Sequence, residues 1–78
     1  MADSPTRLEK HSVSIAGHRT SVTLEAAFWE SLSEIAQRRK TTIAGLIAEI
    51  DDARAGDPAA PNLSSAIRVF VLRERDRM

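Results

Sequence analysis

The chain has 78 residues, eleven Lys and Arg against eleven Asp and Glu, and no cysteine. That length allows one small domain, the missing cysteines exclude disulfides, thiolate nucleophiles and Cys-type zinc sites, and the neutral balance excludes the bulk basicity that announces many nucleic-acid binders. A domain this short hides only about 60% of the surface its unfolded chain exposes, so self-association is the expected reinforcement, and the 42% hydrophobic content can supply it.

No uncharged apolar run approaches the eighteen or so residues that cross a bilayer, and the opening MADSPTRLEK has no apolar signal-peptide core, so the expectation is a soluble, cytoplasmic protein without a membrane partner. Residues 1–10 mix Ser4, Pro5, Thr6 and charges without period and read as a flexible arm. Residues 11–78 read as one domain.

From His11 to Leu24 apolar and polar residues alternate, the only strand signal in the chain. Val13 and Ile15 are apolar at odd positions, Val22 and Leu24 at even ones, and strand side chains change face with every residue. The phase change requires a turn or bulge near Ala16 and Gly17. A hairpin there puts Val13, Ile15, Thr20, Val22 and Leu24 on one face and Ser12, Ser14, Arg19, Ser21 and Thr23 on the other. Ala-Gly is a weaker hairpin signal than Asn-Gly.

Residues 25–39 read as a first helix, with Glu25 and Glu30 near its start, Arg38, Arg39 and Lys40 at its end, and an apolar stripe of Phe28, Leu32 and Ile35. Thr41 or Thr42 caps a second helix over 43–55, with Ile43, Leu46, Ile47 and Ile50 on one side. Gly56, Asp57, Pro58 and Pro61 mark a linker over 56–61. Asn62 or Ser64 then caps a third helix over 63–75, apolar at Leu63, Ala66, Ile67, Phe70 and Val71. The predicted class is α+β, mostly α: a strand region over 11–24 followed by two helices and an extra C-terminal helix.

A strand with unpaired N–H and C=O groups needs a partner, and an economical one is the same strand of a second copy, antiparallel about a two-fold axis. The outward face then carries Arg19, Ser21 and Thr23. A two-stranded ribbon fits the DNA major groove, where Arg bonds guanine O6 and N7 and Ser or Thr bonds either kind of base edge. The plainer reading is that these are the polar residues any strand shows to solvent. At the start of the second helix Gly45 stands where a capping-box carboxylate would sit, so the N–H groups face no acid, and Lys40 stands just before them. That pattern suits phosphate, although basic residues also suit the end of the preceding helix.

The stretch Arg19-Thr20-Ser21-Val22-Thr23-Leu24, followed by Phe28, Leu32 and Ile35 and by a Thr-capped Ile43-Ala44-Gly45-Leu46-Ile47, resembles the ribbon-helix-helix domain of the MetJ/Arc type. The strings HSVSIAGHRTSVTLEAAFW and NLSSAIRVFVL resemble a small prokaryotic subfamily with an additional C-terminal helix. The resemblance covers roughly residues 10–72. It implies an intertwined homodimer whose paired strands enter the major groove, with Arg19, Ser21 and Thr23 at the base-reading positions and Thr42 and Ile43, beside Lys40, at the phosphate-anchoring ones. It further implies a dimer core drawn from Val22, Leu24, Phe28, Leu32, Ile35, Leu46, Ile47 and Ile50. The function implied is transcriptional regulation, usually repression, and the partners are DNA, a second copy and, in antitoxin relatives, a toxin.

The zero net charge favours a second reading, a ribbon-helix-helix module that chiefly binds a partner protein. His11 and His18 form a poor metal site without Cys or a convergent carboxylate, and neither metal nor cofactor is expected. Asp51 and Asp52 point about 100° apart on a helix and cannot share a substrate. No Ser-His-Asp order, glycine-rich phosphate loop or HExxH motif is present, so catalysis has no support in the sequence. The apolar side of the third helix either closes the core or stays available to a partner.

Overall fold

A computed structural model describes residues 4–55 and 62–77. The phase change in the strand region is resolved as an antiparallel hairpin of β1 (Leu8–Ile15) and β2 (His18–Glu25). Ile15 faces His18 across Ala16-Gly17, whose φ angles are +49° and +84°. A two-residue turn with both φ positive twists in the sense the strands require. Gly17 adopts it freely; Ala16 does so with a Cβ that disfavours it.

β2 pairs with β1 of its own chain, as a hairpin turning at Ala16-Gly17 requires. One boundary is corrected: the strand begins at Leu8, inside the segment expected to be an arm and ahead of the expected 11–24 region. The reason lies in hydrogen bonding: Ala26 N–H donates to the Arg7 carbonyl at 2.8 Å and Ala27 N–H to the Pro5 carbonyl at 3.0 Å. The segment before β1 thereby satisfies the first donors of the following helix.

Helix α1 (Ala26–Arg38) starts one residue later than expected, with Glu25 at its N-cap in extended conformation. The Glu25 side chain does not cap the helix but binds Arg68 at 2.9 Å. Beyond the Arg39 C-cap of α1, Lys40 turns the chain out of the helix with φ +58°. Lys40 N–H donates to the Gln37 carbonyl at 3.1 Å and Thr41 N–H to the Ala36 carbonyl at 2.9 Å, the paired bonds of a Schellman ending. Lysine thus holds a left-handed position that glycine usually fills.

Helix α2 (Ile43–Ala55) matches its expected span, and α3 (Leu63–Asp76) runs one residue beyond its own. Asn62 caps α3 by accepting from Ser65 N–H at 2.9 Å. The linker expected over 56–61 lies outside the described residues.

The three helices cover one face of the hairpin. The buried core takes Ile15, Val22 and Leu24 from the hairpin, Trp29, Leu32, Ile35 and Ala36 from α1, Leu46, Ile47 and Ile50 from α2, and Ile67 and Val71 from α3. Seven of the eight residues expected in a dimer core, Val22, Leu24, Leu32, Ile35, Leu46, Ile47 and Ile50, are buried by their own chain, while Phe28 is half-buried. α3 is a structural part of this core, with Ile67 fully enclosed.

Candidate nucleic-acid interface

The register divides the hairpin into two chemically different faces. Lys10 lies opposite Thr23, Ser12 opposite Ser21, and Ser14 opposite Arg19. All six side chains share the face turned away from the helices, and all six are exposed. Arg19, Ser21 and Thr23 therefore stand together as the alternation requires. β1 adds Lys10, Ser12 and Ser14, of which only the serines stood on that face in the sequence pattern; Lys10 lay beyond its readable part. Lys10 and Arg19 engage no carboxylate of the described residues.

The backbone of β2 also has an open edge. The bond from Ala26 N–H to Arg7 and the alternation of antiparallel ladders turn the N–H and C=O groups of Arg19, Ser21 and Thr23 away from β1. The Thr23 carbonyl accepts from the Ser64 hydroxyl of α3 at 3.1 Å, which fills one of its two lone pairs. The outward N–H and C=O groups of Arg19 and Ser21 have no backbone partner among the described residues.

The expected phosphate-anchoring residues lie elsewhere. Thr42 is the N-cap of α2: its hydroxyl accepts from Gly45 N–H at 2.9 Å. Gly45 matters by its missing side chain, because a Cβ there would meet the Thr41 hydroxyl oxygen at 2.7 Å and that of Thr42 at 3.1 Å. The N–H groups of Ile43 and Ala44, at the first helical positions, have no intrahelical acceptor. In the basic run before them, Arg39 is held by Glu74 at 2.9 Å and lies over the Phe70 ring at 5.2 Å, whereas Lys40 has no carboxylate partner among the described residues. α1 separates this turn from the end of β2 by its own length, about 20 Å for thirteen residues. Within one chain the ribbon face and the turn are two sites.

Several charged residues prove structural. Arg68 binds Glu25 and sits 5.9 Å from the Phe28 ring, and Arg54 pairs with Asp51 at 2.6 Å. Arg75 lies between Ser31 and Glu34, so two of the α3 arginines hold that helix to its neighbours. The Arg68 guanidinium holds the Glu25 carboxyl below its ordinary value, and Arg7 followed by His11 does the same for Glu9. Trp29 is buried, its indole N–H bonds the Glu9 carbonyl at 3.0 Å, and the His11 ring packs 4.2 Å away. His11 and the Ile15–His18 pair are four strand positions apart, about 13 Å, too far to share a metal ion. No group of three or more metal-ligating side chains occurs among the described residues, and none of their helices is long and apolar enough to cross a membrane.

The family model for the ribbon-helix-helix domain matches residues 8–75 of the chain. Among solved structures, an uncharacterized protein from Bordetella pertussis Tohama I is 34% identical, with a TM-score of 0.76 over 91% of this chain. The chain spans 58% of that protein's length. No curated protein matches.

Proposed function

Because the chain belongs to the ribbon-helix-helix domain family, we propose that it is a dimeric, sequence-specific DNA-binding regulator, acting as a repressor. The observation that carries this reading is the exposed row of Arg19, Ser21 and Thr23 on the helix-free face of the hairpin, beside a strand edge that can take a second strand. In this reading two copies of β2 pair antiparallel along that edge and enter the major groove. Arg19 bonds guanine O6 and N7, and Ser21 and Thr23 bond neighbouring base edges. The open N–H groups of Ile43 and Ala44, fixed by the Thr42 cap and assisted by Lys40, hold a backbone phosphate on each side.

The test is recovery of genomic fragments on the tagged protein, followed by a salt titration on the recovered site. DNA reading requires log affinity to fall steeply with log salt. Arg19→Ala should cost about 1–3 kcal/mol on that site and blur its base preference. Wild-type affinity in Arg19→Ala would refute base reading by the ribbon.

The second reading, binding of a partner protein such as a toxin, is favoured by the neutral charge and by an apolar groove of 280 Å³ between α1 and α3, lined by Ala27, Phe28, Ser31, Val71, Leu72 and Arg75. Absence of any retention on duplex DNA at low salt would leave this reading in place of the first.

A further inference from the structure

The hairpin places a second strand beside the reading strand, and the side chains of Lys10, Ser12 and Ser14 on the shared outer face have no hydrogen-bond or ion-pair partner among the described residues. Lys10, Ser12 and Ser14 are exposed and stand directly across from Thr23, Ser21 and Arg19. Lys10 binds no carboxylate among the described residues, and the one acidic group in the outward register, Glu25, is already held by Arg68. The face is thus polar and positive where charge remains, which complements a phosphate backbone.

Its width decides what β1 can touch. If two copies of β2 pair along their open edges, each β1 becomes an outer strand of a four-stranded sheet. Adjacent strands lie about 4.8 Å apart, so the outer strands are separated by about 14 Å. The major groove is about 12 Å wide. The central strands fit between the groove walls, and the outer ones meet the walls themselves.

We propose that β1 is a backbone clamp: Lys10, with the hydroxyls of Ser12 and Ser14, contacts the sugar–phosphate rims that flank the groove while β2 reads the bases within it. This assignment rests on the DNA-reading function proposed above and adds to it a division of labour between the two strands of each hairpin. Lys10 supplies sequence-independent affinity, and the serine hydroxyls donate to phosphate oxygens.

The experiment compares wild type, Lys10→Gln and Arg19→Ala on the recovered site and on duplexes with single base changes, at several salt concentrations. Both positions are exposed, and thermal melting checks that each variant is folded. Lys10→Gln should weaken binding equally on all duplexes and make the salt slope shallower by about 1 per protomer. Arg19→Ala should instead flatten the differences between duplexes. If Lys10→Gln retains wild-type affinity and slope while Arg19→Ala loses specificity, the clamp is wrong and base reading stands. If Lys10→Gln alters base preference, β1 lies inside the groove and the rim placement is wrong. If wild type binds no duplex at low salt, clamp and reading function fall together.

Discussion

Leu24 and Thr23 are neighbours in β2, yet they belong to different halves of the molecule. Leu24 is fully enclosed, one of the core residues drawn from the hairpin and all three helices, while Thr23 is exposed on a face that no helix covers. The inner face is specified by burial: its apolar residues share one core with all three helices. The outer face bears Lys10, Ser12, Ser14, Arg19, Ser21 and Thr23, and almost nothing within the chain depends on it. One hairpin therefore separates stability from recognition by the two-residue period of its strands.

Substitutions at these two adjacent positions test whether the faces are independent. Leu24→Ala leaves a cavity in a fully packed site and should destabilise the chain by about 2–5 kcal/mol, measured by chemical denaturation. Thr23→Ala, one residue away, should leave the midpoint nearly unchanged. A loss at Thr23 as large as that at Leu24 would mean that the outer face is packed against something in solution, and the separation would fail. The DNA effect proposed for Arg19→Ala comes next in size, and it belongs wholly to the outer face.

At the second site, Lys40 couples backbone strain to charge. It occupies a left-handed position at the end of α1, where glycine would relieve a Cβ strain of about 1 kcal/mol. Lys40→Gly should therefore raise stability by up to about 1 kcal/mol while weakening DNA binding through the lost cation. A variant that gains stability and keeps full affinity would show that Lys40 only ends a helix. A variant that is less stable would show that the lysine stem contributes packing worth more than the strain.

Much of the inner face was legible because burial writes a period into the sequence. The stripes of Phe28, Leu32 and Ile35 and of Leu46, Ile47 and Ile50 mark helices, and the phase change between Ile15 and Val22 marks the hairpin. The first residues of β1 were not legible, since Leu8 points outward and is 60% exposed, and the next inward position holds Glu9 rather than an apolar residue. The pairing of Glu25 with Arg68, 43 residues apart in the chain, was also hidden; no local pattern signals it. Of the candidate site, Arg19, Ser21 and Thr23 could be placed on one face from alternation alone. Lys10 could not, because its strand could not be extended that far.

Glu25 is the outer-register residue that the fold does use, and it gives the smallest and most specific test. Arg68 holds its carboxylate from α3 at 2.9 Å and lowers its pKa, with a further lowering from its own backbone N–H. A carboxyl with a depressed folded pKa contributes stability above its unfolded pKa, and the contribution fades as pH falls through the folded value. Wild type should therefore exceed Glu25→Gln in melting temperature near neutral pH, and the gap should close as pH drops below the ordinary glutamate value of about 4.3. Glu9, lowered by Arg7 and His11, keeps its own acid dependence in both proteins, so it cancels from the difference. A gap that stays constant from neutral to acid pH would mean that the Glu25 charge contributes nothing to tying α3 to the hairpin. The outer face would then be free of structural duty along its whole length.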